Sequence, residues 1–481
     1  YFEHWDELYA AWLSKVRELI DELEAVHFRP LPVEEDLTVI TSGAGVGSGF
    51  ELIAQYNRLV EFALKLWNYH FEFLNLGYTA YLDLFGFCKQ VFPSIPDQAI
   101  AAMVAGIDVD LFKPDEELKK LAALAVEIGV DHLLDRGPAA SVLAAMTEHA
   151  GGDKWLAAWE KAQQPWFNFS AGSGFYHSDK VWLEHPEIPL GFITDHVAKV
   201  RRGESLDRPV AAIAAERDRI VAEYLELIDH DTDRAAFAAK LGLARTVFPY
   251  VENHNFYVEH WGHSIIWRKM RDLGAVFVDA GFWADSDDIF LLARKEVPEA
   301  LFDLYHGWAV GVRSRGPAYW PAEIERRHGI MDALRAWSPP PALGTPPEVI
   351  TEPFTVMLWG ITSESVRSWL GGAGDDGVLS GFAASPGIAE GPARVVLGAD
   401  GIGELAEGDI LVAPLTAPSW APVFGKIAAT VTDVGGIMSH AAIVCREYGL
   451  PAVTGTAFGT KTIKTGQRLR VDGHAGTVTV L

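Results

Sequence analysis

The stretch Thr432-Asp433-Val434-Gly435-Gly436-Ile437-Met438-Ser439-His440-Ala441-Ala442-Ile443-Val444-Cys445-Arg446-Glu447-Tyr448-Gly449-Leu450-Pro451-Ala452-Val453-Thr454-Gly455 reads as a strand, a glycine turn and a helix that opens at Ser439-His440. Serine is a good cap, because its hydroxyl accepts from an unpaired N–H of the first turn. Gly435 and Gly436 allow the chain to turn tightly, and Gly449 and Pro451 end the helix. His440 then projects from the first helical turn. Free backbone N–H groups and the positive end of the helix dipole there favour a bound phosphate and disfavour an imidazolium. A neutral histidine in that place can accept a phosphoryl group covalently and surrender it later. A single histidine at a turn is more often only a satisfied polar group, so the surrounding sequence has to decide.

Outward from this stretch, everything after Gly377 consists of short β-branched runs broken by glycine and proline. The runs fall at 393–397, 409–413, 428–432, 452–455, 468–472 and 477–481, with one helix expected at about 440–448. That is the size and texture of a small β/α domain, 378–481. Upstream lie two breaks. Positions 338–347, with five prolines, cannot continue a helix, and the glycine-rich 371–377 permits a wide range of backbone angles. The interval 338–377, with a short helix near 363–370, is therefore expected to be a linker and hinge.

Residues 1–337 carry apolar positions at helical spacing: Trp5, Leu8, Trp12, Val16, Leu19, Ile20 and Leu23 in the first 27 residues, with similar patterns at 50–80, 96–105, 115–135, 138–150, 210–229 and 250–274. The expectation is a mainly helical body.

Three stretches together, the one quoted first, Ala384-Ser385-Pro386-Gly387-Ile388-Ala389-Glu390-Gly391-Pro392-Ala393-Arg394-Val395 and Leu411-Val412-Ala413-Pro414-Leu415-Thr416-Ala417-Pro418-Ser419-Trp420, resemble the phosphohistidine domain of the phosphoenolpyruvate-utilising family. Met438 and the order of helical body, hinge and phosphohistidine domain resemble the rifampin phosphotransferase and large phenylphosphate synthase subunit branches. The resemblance implies a multidomain chain: a mainly α-helical substrate-binding body followed by a C-terminal β/α swivelling domain. It implies that His440 is phosphorylated, with Ser439 and Arg446 beside it, and that Thr432, Gly435 and Gly436 shape the phosphate turn. Arg446 could pair with phosphate or an acidic neighbour; alternatively, Arg446 and Glu447 form a solvated pair on the helix surface.

Such a domain needs a donor site and an acceptor site. The sequence has no Gly-x-x-x-x-Gly-Lys-Ser/Thr, and the cluster 43–49 lacks a lysine and reads as a flexible loop. ATP and Mg²⁺ are therefore expected on a partner subunit or on a domain absent from this chain. For the acceptor, the densest polar cluster is Glu252, His254, Glu259, His260 and His263, followed by Arg268 and Lys269. On a regular helix Glu252, Phe256, Glu259 and His263 share a face, where a carboxylate or imidazole could take a hydroxyl proton and Arg268 neutralise the transferring group. An ordinary polar helix face is the competing reading. A metal held by the histidines is a third, but no recognised zinc spacing is present, and no metal is expected. The aromatic run 165–177, ending in His177, reads as a pocket loop, which points to a small hydroxylated acceptor of aromatic or apolar character.

The chain's 481 residues carry a formal net charge of -25, which opposes nucleic acid and anionic membrane as partners. Two distant cysteines, Cys88 and Cys445, and the lack of a leader or an 18-residue apolar run fit a cytoplasmic protein. The functional expectation is a phosphotransferase component. The alternatives are a component that phosphorylates an alcohol for dehydration or carboxylation, and a non-catalytic phosphocarrier or regulatory protein.

Overall fold

The computed structural model describes residues 1–35, 37, 41, 47–134, 137–337, 342–371 and 378–481. Positions 43–46 of the glycine cluster, 338–341 of the proline-rich stretch and 372–377 of the expected hinge lie outside the described residues. A large helical region precedes a C-terminal domain built on a mixed sheet, the fold class expected from the sequence. No helix among the described residues is long and apolar enough to cross a membrane.

The chain forms two compact units. The first, mainly Glu3–Glu72 with Tyr257–Pro340, is helical. Its first helix, Trp5–Ala25, buries Trp5, Trp12, Val16, Leu19, Ile20 and Leu23, the expected stripe without Leu8. Helices Ser48–Glu72, His263–Asp279, Glu296–Val310 and Gly316–Ala336 enclose a core that includes Leu52, Tyr56, Leu273, Phe277, Trp283, Leu301 and Trp320.

The second unit, mainly Phe73–Phe256 with Pro341–Leu481, combines helices and the sheet. The helical expectation at 50–80 resolves into two helices, Ser48–Glu72 and Leu74–Val91, separated at Phe73, whose backbone (φ -122°, ψ 0°) is not helical. That at 250–274 resolves into Pro249–His254, a π-helical segment Asn255–Gly262, and His263–Asp279. Helices at Gly152–Trp166, Glu187–Arg201, Asp231–Val247, Glu296–Val310 and Gly316–Ala336 come in addition to those expected.

The C-terminal strands are β1 (Val378–Ser380), β2 (Phe382–Ser385), β3 (Ile388–Val395), β4 (Ile410–Ala413), β5 (Ala429–Thr432), β6 (Ala452–Thr454), β7 (Arg468–Asp472) and β8 (Thr477–Val480). They form one sheet in the order β1-β8-β7-β3-β4-β5-β6-β2. Strands β3 to β6 are parallel, and the outer pairs are antiparallel. Every residue of β4 and β5 is buried, as parallel strands covered on both faces require. Ile410, Val412, Val431, Val453, Leu469, Val471 and Val478 fill the core. Parallel strands need a crossover, and between β5 and β6 it is the helix His440–Tyr448. That connection places the glycine turn at the carboxyl end of β5, where ligands bind in open α/β sheets.

Candidate functional site

The turn is built by local hydrogen bonds. The Thr432 hydroxyl donates to the Val434 carbonyl (2.8 Å), while the Thr432 carbonyl accepts from the Thr456 hydroxyl (3.0 Å). Gly435 has φ +130°, a region costly to residues with a Cβ, and a Cβ there would lie 2.8 Å from Ser439 Oγ. Ser439 Oγ accepts from the Ala442 N–H and donates to the Gly436 carbonyl (2.8 Å), so the expected cap is present. At the far end, Gly449 (φ +66°) closes the helix with its N–H on the Arg446 and Cys445 carbonyls.

A second segment lies across the turn. The N–H groups of Gly435, Gly436 and Met438 donate to the carbonyls of Trp359, Leu358 and Met357 at 3.1, 2.9 and 2.8 Å. Gly436 allows this close approach, since a Cβ there would stand 2.3 Å from the Met357 carbonyl oxygen.

His440 meets Glu252 of the helical region: Nδ1 lies 3.1 Å from Oε2. Glu252 is buried, and the His440 side chain is 16% exposed. An ionised carboxylate only accepts, so this contact puts the ring proton on Nδ1 and the lone pair on Nε2. Nε2 is buried, with no hydrogen-bond partner among the described residues. The unbonded nitrogen lies in the first turn of a helix.

Arg446 and Glu447 are both buried, which overturns the alternative of a solvated surface pair. Arg446 Nη1 donates to the Ile437 (2.9 Å) and Ala384 (3.0 Å) carbonyls and so braces the turn from behind. Burial lowers its pKa. Glu447 accepts from the Gly106 N–H (2.8 Å) and faces Arg208 at 3.7 Å, and burial raises its pKa. Tyr448 donates to Asp115 (3.3 Å). Burial alone would raise the Asp115 pKa, but the hydrogen bond from His196 and the charge of Lys119 outweigh it and hold the carboxyl well below its usual range. The helix that begins with His440 therefore ends against the helical region. Neither Glu252 as the partner of His440 nor the pairing of Glu447 and Tyr448 with residues more than 200 positions earlier has a signal in the local sequence.

The residues of the expected acceptor cluster fall in both units. Glu252 and His254 belong to the second unit; Glu259, His260, His263 and Arg268 belong to the first. His254 Nδ1 lies 3.1 Å from the Tyr250 carbonyl, and His263 Nδ1 lies 3.3 Å from that of Glu259. His260 is fully buried. Arg268 pairs with Glu24 at 2.7 Å. The run 165–177 forms an ordered loop: Phe169 packs on Phe256 and on Trp182, Ser170 bridges to Val181, and His177 is half-buried in its turn.

A sheet domain with a histidine in a glycine turn at a strand's carboxyl end is the architecture of a phosphoryl-carrying mobile domain. Residues 405–476 match the family model described as PEP-utilising enzyme, mobile domain, and the chain carries such a domain. It is 28% identical over 303 residues to an uncharacterised phosphotransferase of Bacillus subtilis, covering 63% of this chain and 34% of that protein. To a rifampicin phosphotransferase of a Streptomyces species it is 33% identical over 304 residues, 62% of this chain and 31% of the relative. To the chondramide synthase of Chondromyces crocatus it is 28% identical over 478 residues, 96% of this chain and 12% of that protein. The matched segments thus span about a third or less of these relatives.

Proposed function

We propose that the chain is a phosphotransferase component in which His440 carries a phosphoryl group from a nucleotide to the hydroxyl of a small, apolar or aromatic alcohol bound by the helical region. The observation that carries this reading is the His440–Glu252 pair: one ring nitrogen fixed by a buried carboxylate, the other unbonded at a helix N-terminus. In this reading residues 1–337 bind the acceptor, 338–377 link and pivot, and 378–481 carry the phosphoryl group.

The chemistry divides into two displacements. Nε2 attacks phosphorus, a P–N bond forms and the donor's P–O bond breaks. The phosphorylated ring keeps its proton on Nδ1 and is a cation, which the Glu252 carboxylate stabilises. When the acceptor oxygen attacks in turn, the P–N bond breaks and its electron pair returns to Nε2, the acceptor proton passing to water. The leaving group is then a neutral imidazole with its Nδ1–H still on Glu252, so transfer needs no further proton at the ring. The N–H groups of the first helical turn and the dipole favour the phosphoryl oxygens in both steps.

The proposed donor is ATP with Mg²⁺. No Walker-type lysine loop occurs in the sequence, so its residues do not fit a nucleotide site of that kind. We place ATP on a partner subunit or a further domain. The match to the chondramide synthase, which takes in nearly this whole chain as 12% of a longer protein, supports a helical region and mobile domain that work together as a module of a larger assembly. Burial of Glu252, His254, His260 and His263 weighs against the carrier-only reading, which calls for a shallow, solvated surface there.

The test is incubation with ATP labelled at the β- or γ-phosphate, with and without an ATP-binding partner, for wild type and His440→Ala. Acid-labile, base-stable label that vanishes in the variant is the expected result. Label that persists in His440→Ala would sink the reading.

A further inference from the structure

The first unit carries an open groove that the proposed phosphoryl chemistry does not use. Two adjoining hollows, of about 500 and 240 Å³, share Tyr56, Val60 and Arg294. Their walls come from three pieces of chain: the helix Ser48–Glu72, the helix His263–Asp279, and residues 289–298, the last three of which open the helix Glu296–Val310. Glu252 and His440 belong to the other unit. The body of the groove is apolar: Trp267 and Phe290 meet edge to face at 5.8 Å in the smaller hollow, which Met270 and Leu292 also line. The larger hollow alone falls within the roughly 300–1,000 Å³ of small-molecule sites.

Among the described residues, the charged side chains in the lining are two adjacent cations, Arg294 and Lys295, both exposed. Neither has an acid within ion-pairing distance among the described residues. The charges next to them are already matched, Glu296 with Arg327 at 2.6 Å and Arg271 with Asp287 at 2.7 Å. Two positive charges are thus left over beside an apolar surface, in a chain whose acids outnumber its bases by 65 to 40. Arg294 is also placed: its carbonyl accepts from the buried Tyr56 hydroxyl (3.4 Å), and its charge opposes the rise in the Tyr56 pKa that burial causes, which sets the guanidinium near the phenol. An oxyanion brought there gains charge-assisted hydrogen bonds, and the planar fork of an arginine matches two oxygens of a carboxylate or phosphate. An apolar body attached to it leaves water for the groove. A cation is repelled, a neutral molecule forgoes the first gain, and a bare ion forgoes the second.

We propose that this groove binds a small molecule with an apolar body and one terminal oxyanion, a carboxylate or a phosphate monoester, the oxyanion on Arg294 and Lys295 and the body along Val60, Trp267 and Phe290. The site stands independently of the reading of His440. The formal net charge of -25 opposes non-specific uptake of anions, so a saturable anion reports a built site.

The experiment is isothermal titration calorimetry on the full chain with octanoate, octyl phosphate and octanol as probes. At least one of the two anions is expected to bind saturably and about tenfold or more tightly than octanol, and the tighter anion names the oxyanion. Shortening that anion by two carbons weakens it about tenfold, as the loss of two buried methylenes requires. Arg294→Gln, at an exposed position, weakens the anion about tenfold and leaves octanol unchanged. Val60→Trp, which fills space shared by both hollows, abolishes binding, and His440→Ala leaves it intact. Each of the following overturns the proposal: no saturable binding of either anion, octanol binding as tightly as the anions, an anion affinity indifferent to Arg294→Gln or to chain length, a folded Val60→Trp that still binds, or loss of binding in His440→Ala. Circular dichroism shows whether each variant is folded. A Val60→Trp that fails to fold is replaced by Ala63→Phe, at a half-buried position in the smaller hollow, with the same loss expected.

Discussion

Nδ1 of His440 lies 3.1 Å from Oε2 of Glu252, a residue 188 positions earlier in the chain and part of the helical region. In the proposed mechanism the carboxylate reaches the ring only while the mobile domain is docked on the helical region, so its effect falls on the step carried out there. Glu252→Gln keeps the shape and can still accept from Nδ1–H, but it loses the charge that stabilises the phosphorylated, cationic ring. Transfer from phosphorylated His440 is expected to slow about 10- to 100-fold, by analogy with the cost of removing a carboxylate that orients a metal-bound histidine. Chemical phosphorylation of His440 by phosphoramidate is expected to survive. Following the decay of the labelled protein in both forms measures the difference; equal decay would remove Glu252 from the mechanism.

What the sequence discloses about this site depends on how far apart the interacting residues are. The cap by Ser439, the left-handed Gly435 and the terminator Gly449 act within a few residues of His440, and each is readable from residue type alone. The partners of the same helix are not: Glu252, Gly106, Arg208 and Asp115 meet it through tertiary packing. Strands β1 and β2 were illegible for a related reason, since three- and four-residue segments acquire strand character from their partners β8 and β6. The helix Gly316–Ala336 buries only Gly316, Trp320 and Ile324 and so leaves no apolar stripe to find. The polar cluster after Glu252 crosses a change of helix type that residue types do not signal. A π segment at Asn255–Gly262 changes the turn, so faces assigned at 3.6 residues per turn do not continue through it.

Gly436 tests whether the segment from Met357 to Trp359 is part of the functional turn. An added Cβ would stand 2.3 Å from the carbonyl oxygen of Met357 and 2.5 Å from that of Val356, and backbone atoms cannot swing aside as a side chain end can. Gly436→Ala is expected to cost about 1–3 kcal/mol, the range for overpacking. The cost falls on this contact rather than on the sheet, so the Gly435 and Met438 amides exchange faster while those of β4 and β5 do not. Gly398, with nothing within 4 Å of a Cβ, is the matched control and should tolerate alanine. The contact also bears on the proposed pivot within 338–377: a swing that begins after Trp359 would break these bonds, and one that begins before Pro353 could keep them.

Arg446 carries two carbonyls. Replacing it with methionine leaves those of Ile437 and Ala384 buried and without their donor. Each unsatisfied buried group costs about 1–3 kcal/mol, so thermal unfolding of the mobile domain should occur at clearly lower temperature. Arg446→Lys retains the charge but not the fork of donors, and is expected to fall between the two. Because the Ile437 carbonyl belongs to the turn, His440 labelling should decline with stability in the same order. A methionine variant as stable as wild type would show that the brace is dispensable.

His263 makes the first unit sensitive to acid. Its ring is buried between Trp67 and Trp267, at 5.3 and 5.8 Å, and burial lowers its pKa from 6.5 to about 4, opposed by the Glu259 carbonyl beside Nδ1. His70 is also lowered to about 4, by burial first and by His263 second, even though the Glu259 carboxylate lies 3.6 Å away and pulls the other way. A histidine kept neutral in the fold binds fewer protons than in the unfolded chain. Stability is therefore fully present above pH 6.5 and falls as the pH drops toward 4. At about 1.4 kcal/mol per pKa unit, His263 alone accounts for roughly 3 kcal/mol of that loss by pH 4. His263→Phe keeps an aromatic ring between the two indoles and removes the titration. Urea unfolding at pH 7.5 and at pH 4 should show the variant losing about 3 kcal/mol less than wild type over the interval. The same loss in both proteins would mean that His263 is protonated as readily in the fold as in the unfolded chain.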